Sequence, residues 1–166
     1  MTDYIFAALH IPIGWVGVLA SERGIQRLGL PQTSLDTALA TLHVSGSNAL
    51  FDPTHFNGLF NELEAYFSGE NVLFDQSLDL ASNPPFFQEA WKACRSIPRG
   101  ETRSYSWLAA KAGNPKALRA AGQSMAHNPV FLIIPCHRVI SSNGSLYRYG
   151  GGLGLKQQLL NLEKAL

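Results

Sequence analysis

The chain has 166 residues, 46% hydrophobic and 15% charged, with a net charge of +1; this suits one large domain or two small ones and argues against disorder. No apolar run approaches the roughly 20 residues of a spanning helix, and the N-terminus lacks the basic start of a signal peptide. Two cysteines, Cys94 and Cys136, are too few for a disulfide scaffold, so the expectation is a soluble intracellular protein in a reducing compartment.

The near-neutral total conceals an asymmetry. Residues 1–90 carry two basic and ten acidic side chains, a balance of −8, whereas residues 91–166 carry eleven basic and two acidic, a balance of +9. A split of that kind suggests a polyanion partner for the second half, with a solvated basic face as the plainer reading.

The opening stretch, "YIFAALHIPIGWVGVLASERGIQRLGL", reads as short strands separated by turns at Pro12-Ile13-Gly14 and Glu22-Arg23-Gly24. In "FNGLFNELEAYFSG", Leu59, Leu63, Tyr66 and Phe67 fall at helical spacing, with Gly69 as the stop. This is an α/β layer with no chemistry of its own. At "ASNPPFF", Ala81 to Phe87, a turn-forming cluster marks a linker. It divides an acidic N-terminal α/β domain, 1–83, from a second domain, 84–166.

The second domain is mostly helix. Phe87, Ala90, Trp91 and Cys94 lie at i, i+3, i+4 and i+7, which puts Cys94 on a buried stripe as a plain core thiol. Ser104 is placed to cap a short helix, "YSWLAAKA", closed by Gly113. Asn114 and Pro115 then supply a cap and a first-turn proline for a helix reaching about His127. Two short helices joined by a tight turn read as a helix-turn-helix, the second being the candidate reader. Such pairs also occur in proteins that never touch nucleic acid. On this helix Leu118, Ala121, Gly122 and Met125 share one face, and Lys116, Arg119 and Gln123 point elsewhere. Ala120, Ala121, Gly122 and Ser124 keep it slim enough to approach another backbone closely.

After Asn128-Pro129, the apolar "VFLII" reads as a buried strand that delivers Pro135-Cys136-His137-Arg138 at its end. A thiol attacks well only as thiolate, and a neighbouring imidazole or cation favours that form. In extended chain, however, successive side chains point to opposite sides, so Cys136 is at this stage either a core thiol or a nucleophile. The last helix, "LKQQLLNLEKAL", has Leu155, Leu159, Leu162 and Leu166 as its buried stripe. Glu163 sits in its last turn, against the helix dipole. It is either the acid of a Cys–His–acid relay or an exposed charge balanced by Lys156 or Lys164.

"IPCHRVI", preceded by "NPKALRAAGQSMAHNP" and followed by "YGGGLGLKQQLLNLE", closely resembles the 6-O-alkylguanine-DNA alkyltransferases, also called methylated-DNA–protein-cysteine methyltransferases. "FFQEAWKACRSIPRGETRSYSWLA" matches their helical entry segment, so the likeness covers nearly all of 86–166. "HIPIGWVGVLASERGI" and "LEAYFSGENVLFDQSLDL" resemble that family's N-terminal domain more loosely. The implied fold is α+β: a small ribonuclease-H-like α/β domain, then a mostly helical winged-helix/helix-turn-helix domain.

The resemblance implies single-turnover transfer of an alkyl group from 6-O-alkylguanine, or 4-O-alkylthymine, to Cys136. His137 would act as base through a water, Glu163 would orient it, and Asn128 would fix the hinge geometry. Tyr105 would help protonate the leaving base, supported by Lys156. The flipped base would sit against Pro135, Met125, Tyr149, Gly150, Gly151 and Gly152. Double-stranded DNA would be met in the minor groove by Arg119, as a finger in the stack, together with Tyr105, Ser104, Lys116, Gln123 and Ser124. The likeness implies no cofactor, no metal, no membrane and a monomer, with cooperativity on DNA open; the compartment would be the cytoplasm of a prokaryote or the nucleus of a eukaryote. Phe131, His127 and Tyr147 depart from the family's pattern and bear on which alkyl groups are accepted.

Three rivals are weaker. A silent damage sensor of this type carries tryptophan in place of the cysteine. A cysteine hydrolase would have no use for Arg119 on a helix-turn-helix, and a regulator would leave Cys136 dispensable.

Overall fold

The computed structural model describes residues 3–44, 48–146 and 151–165. The chain divides into two compact units, Met1–Asp79 and Leu80–Leu166. The first is built on a four-stranded sheet and the second is mostly helical, the α+β arrangement expected.

In the first unit β1 (Tyr4–Ile11), β2 (Gly14–Ser21) and β3 (Gly24–Leu28) form an antiparallel meander, with β1 and β2 in register from Tyr4↔Ser21 to Ile11↔Gly14. The tight turn at Pro12-Ile13 fixes that register, as turn length does in hairpins; the turn at Glu22-Arg23 starts the β2–β3 pairing, whose register shifts between Leu19 and Ala20. After α1 (Leu35–Ala40), capped by Ser34, the short β4 (Ala49–Phe51) pairs parallel to β1, giving the order β3-β2-β1-β4. Gly17 lets α1 come close to β2: a Cβ there would lie 2.5 Å from the Ala38 carbonyl oxygen. The helix α2 (Asn57–Phe67) buries Leu59, Leu63 and Tyr66 and ends where Gly69 turns left-handed at φ +99°.

In the second unit α3 (Pro85–Arg95) packs against α4 (Tyr105–Lys111) and α5 (Leu118–Ala126). The Trp91 indole N–H donates to the Ser124 carbonyl at 2.8 Å, which ties α3 to α5 deep in the core. Ser104 Oγ accepts from the Trp107 N–H and caps α4, and Gly113 closes it at φ +105°. Two-residue strands β5 (Arg103–Ser104) and β6 (Val139–Ile140) pair in parallel beside them. The last helix is α6 (Leu153–Leu162).

Three expectations are corrected. The reading helix begins at Leu118 and not at Pro115, because Asn114 Oδ1 accepts from the Lys116 N–H and holds Asn-Pro-Lys as a turn. "VFLII" is buried but is not a strand. Leu132 sits at φ +71°, Phe131 bridges to Ile134, and the chain folds back on itself before a single 3₁₀ turn, Cys136–Arg138. The buried stripe of α6 comprises Lys156, Leu159 and Leu160, continued by Glu163 just past its end. Leu155 and Leu162 are half-buried, and Leu166 lies outside the described residues. Counting only leucines misses a stripe whose ends are charged side chains with buried partners.

Candidate active site

Cys136 opens the 3₁₀ turn and is 8% exposed. Asn128, two residues past α5, reaches across to it. Its Oδ1 accepts from the Val130 N–H at 2.9 Å, and its Nδ2 donates to the Ile134 carbonyl at 2.8 Å. Those two backbone partners fix the amide's orientation, so it is the N–H end that lies 3.2 Å from the Cys136 sulfur. A donor aimed at sulfur favours thiolate over thiol. The fold-back of residues 130–134 brings the end of the reading helix and the cysteine to one amide.

His137 is fully buried. Its Nε2 lies 2.8 Å from Glu163 Oε1, while Nδ1 has no hydrogen-bond partner among the described residues. Arg138 clamps the same carboxylate with two nitrogens, Nε to Oε2 and Nη2 to Oε1, both at 2.9 Å. Its third nitrogen donates to the Ile97 carbonyl at 2.6 Å. A carboxylate receiving a bidentate guanidinium accepts only, so the bond from His137 is an N–H donated by Nε2. Burial pushes the imidazole below its ordinary value, against the pull of Glu163 and helped by the positive charges of Arg138 and Lys156. The ring is thus a neutral imidazole whose Nδ1 lone pair is available.

Glu163 is 3% exposed, which settles the choice left open by its spacing: it is no surface charge balanced by Lys156 or Lys164. Lys156 is also fully buried, donates to the Val139 carbonyl at 2.7 Å, and holds its ammonium 5.9 Å from the centre of the Tyr105 ring. Burial lowers it to about 8. Cys94 is fully buried, and burial raises its thiol well above the usual range, so it stays protonated.

Cys136 lines a cavity together with Tyr105, Arg119, Gly122, Gln123, Met125 and Gly152. Arg119, Gln123 and Lys116 are exposed, and Ser104 is half-buried with its hydroxyl capping α4. Ser124 is a correction: it is fully buried and its hydroxyl is bonded to the Ala121 carbonyl within α5, so its side chain does not reach the surface where DNA would lie. Pro135 and Gly151 are not among the described residues that line this cavity. Leu118 is 50% exposed and lines the cavity beside Arg119. Tyr147, Tyr149 and Gly150 lie outside the described residues. Sequence reasoning missed the grip of Arg138 on Glu163. The signal was present, since Arg138 directly follows the Cys136-His137 pair, but its partner lies 25 residues away.

Among the described residues no group of three His, Cys, Asp or Glu side chains is arranged to hold a metal ion, and no helix is long and apolar enough to cross a membrane.

Two family models match the chain. Residues 4–80 match the ribonuclease-like domain of 6-O-methylguanine DNA methyltransferase, and residues 85–165 match its DNA binding domain. A methylated-DNA–protein-cysteine methyltransferase of Mycobacterium tuberculosis is 50% identical over 114 residues, 69% of this chain and 68% of that protein. One from Methanosarcina acetivorans is 36% identical over 158 residues, 95% and 97% of the two chains. The crystal structure of Mycobacterium tuberculosis OGT in complex with DNA superposes with a TM-score of 0.81 at 41% identity, covering 96% of this chain and 92% of that one.

Proposed function

The chain belongs to the 6-O-methylguanine DNA methyltransferase family, and we propose that it repairs DNA by moving the alkyl group of a 6-O-alkylguanine irreversibly onto Cys136. The observation that carries this reading is the pair of contacts on neighbouring residues: the Asn128 donor on the Cys136 sulfur and the buried His137–Glu163 bond.

The target atom lies inside the duplex, so the nucleotide is flipped into the cavity at a cost of roughly a few kcal/mol in unstacking. Arg119 fills the space left in the stack, with Leu118 packing beside it. The small residues Gly122 and Ala126 on the exposed side of α5 suit a close approach in the minor groove, where the reading is degenerate. That degeneracy serves a repair protein, which must accept any flanking sequence. Lys116 and Gln123 add phosphate contacts that carry no sequence preference. The protein acts as a monomer.

His137 Nδ1 takes the thiol proton through a bridging water. The thiolate attacks the carbon bonded to the guanine oxygen; an S–C bond forms and the C–O bond breaks. The departing guanine is protonated by the Tyr105 hydroxyl, and Lys156, with its pKa of about 8, stabilises the phenolate and returns the proton. Guanine stays in the DNA. The thioether on Cys136 has no easy hydrolytic exit, so each molecule reacts once. The test is stoichiometry: with a large excess of methylated duplex, repair stops at one lesion per protein molecule, and repeated turnover would refute the reading.

A further inference from the structure

We propose that Arg138 is a positioning residue for this transfer: its guanidinium, forked onto Glu163 and anchored on the Ile97 carbonyl, keeps the proton of His137 on Nε2 and its Nδ1 lone pair free. The proposal rests on the reading above, in which His137 is the base for Cys136.

The geometry is that of a shared carboxylate. Glu163 Oε1 receives both His137 Nε2 at 2.8 Å and Arg138 Nη2 at 2.9 Å, and Oε2 receives Arg138 Nε at 2.9 Å. All of this lies at the end of α6 where the buried carboxylate is out of reach of water. A buried carboxylate needs a compensating positive charge. Arg138 supplies one that cannot be titrated away. The guanidinium is itself fixed in place by the Ile97 carbonyl, just past the end of α3, so the fork cannot follow the histidine if the ring moves.

The groups around the ring divide plainly. Glu163 from the end of α6 draws a proton onto it, while Arg138 from its own turn and Lys156 from α6 repel one. Cys94 of α3 stays a neutral thiol, and Cys136 is the group to be deprotonated. With Arg138 in place, Glu163 is already compensated, and a proton on the ring would add an uncompensated positive charge to a buried site. Without Arg138, the His137–Glu163 pair would take up a proton between them. On the ring, that proton makes imidazolium, which has no lone pair. On the carboxyl, it makes Glu163 a donor to Nε2, and the ring's own proton moves to Nδ1. Both outcomes remove the base.

The experiment is the single-turnover rate of methyl transfer from a duplex containing one 6-O-methylguanine, followed against pH for wild type, Arg138→Met and Arg138→Lys. Because unprotonated His137 is the active form, the rate rises with pH through its titration. Arg138→Met is expected to move that acid limb upward by about one pH unit or more, which lowers the rate about tenfold or more at pH values below the wild-type midpoint. Arg138→Lys keeps the charge and is expected to leave the limb near its wild-type position with a rate only a few-fold lower. A merely structural pin would lower the rate at every pH without moving the limb. Coincident limbs for wild type and Arg138→Met overturn the proposal.

If Arg138→Met fails to fold by circular dichroism, nitrogen NMR of the wild-type His137 ring decides. A neutral ring protonated on Nε2 at pH 7 is expected, and imidazolium or a proton on Nδ1 overturns the assignment. Should wild type transfer no methyl to Cys136 at all, the transferase reading fails with it. Normal transfer with an unmoved limb removes only the role of Arg138.

Discussion

Among the described residues each unit buries one carboxylate side chain, and the two are placed differently. Asp79, at the end of the first unit, accepts from Ser21 Oγ at 2.5 Å and Gln26 Nε2 at 2.9 Å, with the Arg23 guanidinium 3.3 Å away. The Ser21 hydroxyl foremost, then Gln26 and Arg23, hold its carboxyl below the usual range. Its two hydrogen-bonding partners, from β2 and β3, do not titrate near neutral pH, and Arg23 is mostly in water. Such a carboxylate ties β2 and β3 to the end of the first unit. Glu163 is as well buried, but one of its partners is a histidine that can change charge, and that histidine neighbours a thiol. Burial alone does not make a functional acid; a titratable partner within reach of a nucleophile does.

Four changes would break or sharpen that contrast. Replacing Cys136 by alanine is expected to abolish transfer entirely while leaving DNA binding, measured by gel shift, within a few-fold of wild type; residual transfer would mean a different acceptor. Glu163→Gln is expected to slow transfer about 100-fold, the usual worth of a positioned base. It should also cost about 3 kcal/mol of stability in a urea titration, because Arg138 is left with an uncompensated buried charge.

Asp79→Asn makes the opposite split. A loss of about 1–2 kcal/mol of stability is expected, as for a lost hydrogen bond to a charged group, with a transfer rate unchanged within twofold; a large rate effect would erase the distinction between the two acids. The pH dependences should part as well. Asp79 has a depressed folded value, so its contribution to stability is complete above its unfolded value near 4 and is lost as the pH falls through the folded one. The transfer rate should decline earlier, as acid protonates His137, with a midpoint below the ordinary imidazole value of about 6.5. The smallest effect is expected for Lys116→Ala, which should lower the salt dependence of duplex binding by about one ion and leave the reaction rate alone.

How much of this was readable beforehand differs between the two units. The meander, α2 and its glycine stop follow from alternation, turn residues and helical spacing, which are local signals. Cys136, His137 and Glu163 stood out as candidates, the first two by adjacency and the third because an acid in a last turn breaks the dipole rule, but spacing left each with a plainer reading and their roles came from the family resemblance. What the sequence concealed was non-local. Residues 130–134 are apolar enough for a strand, yet Leu132 at φ +71° turns them back, for the sake of the Asn128 contacts with the backbone and the sulfur. Lys156 and Glu163 lie on the buried side of α6 although they are charged, because Val139, His137 and Arg138 supply their partners from elsewhere in the chain. Ser124 reads as a small residue suited to DNA, but its side chain is buried and bonded to the Ala121 carbonyl within α5. Hydrophobic pattern reports which faces are apolar; it says nothing of charges that are buried in pairs.

The central claim is that Cys136 is the acceptor, and peptide mass spectrometry after mixing the protein with a duplex carrying one 6-O-methylguanine tests it most directly. The account predicts one added methyl group on the Cys136 peptide and none on the Cys94 peptide. An unmodified Cys136 in a protein that still binds the damaged duplex would contradict it.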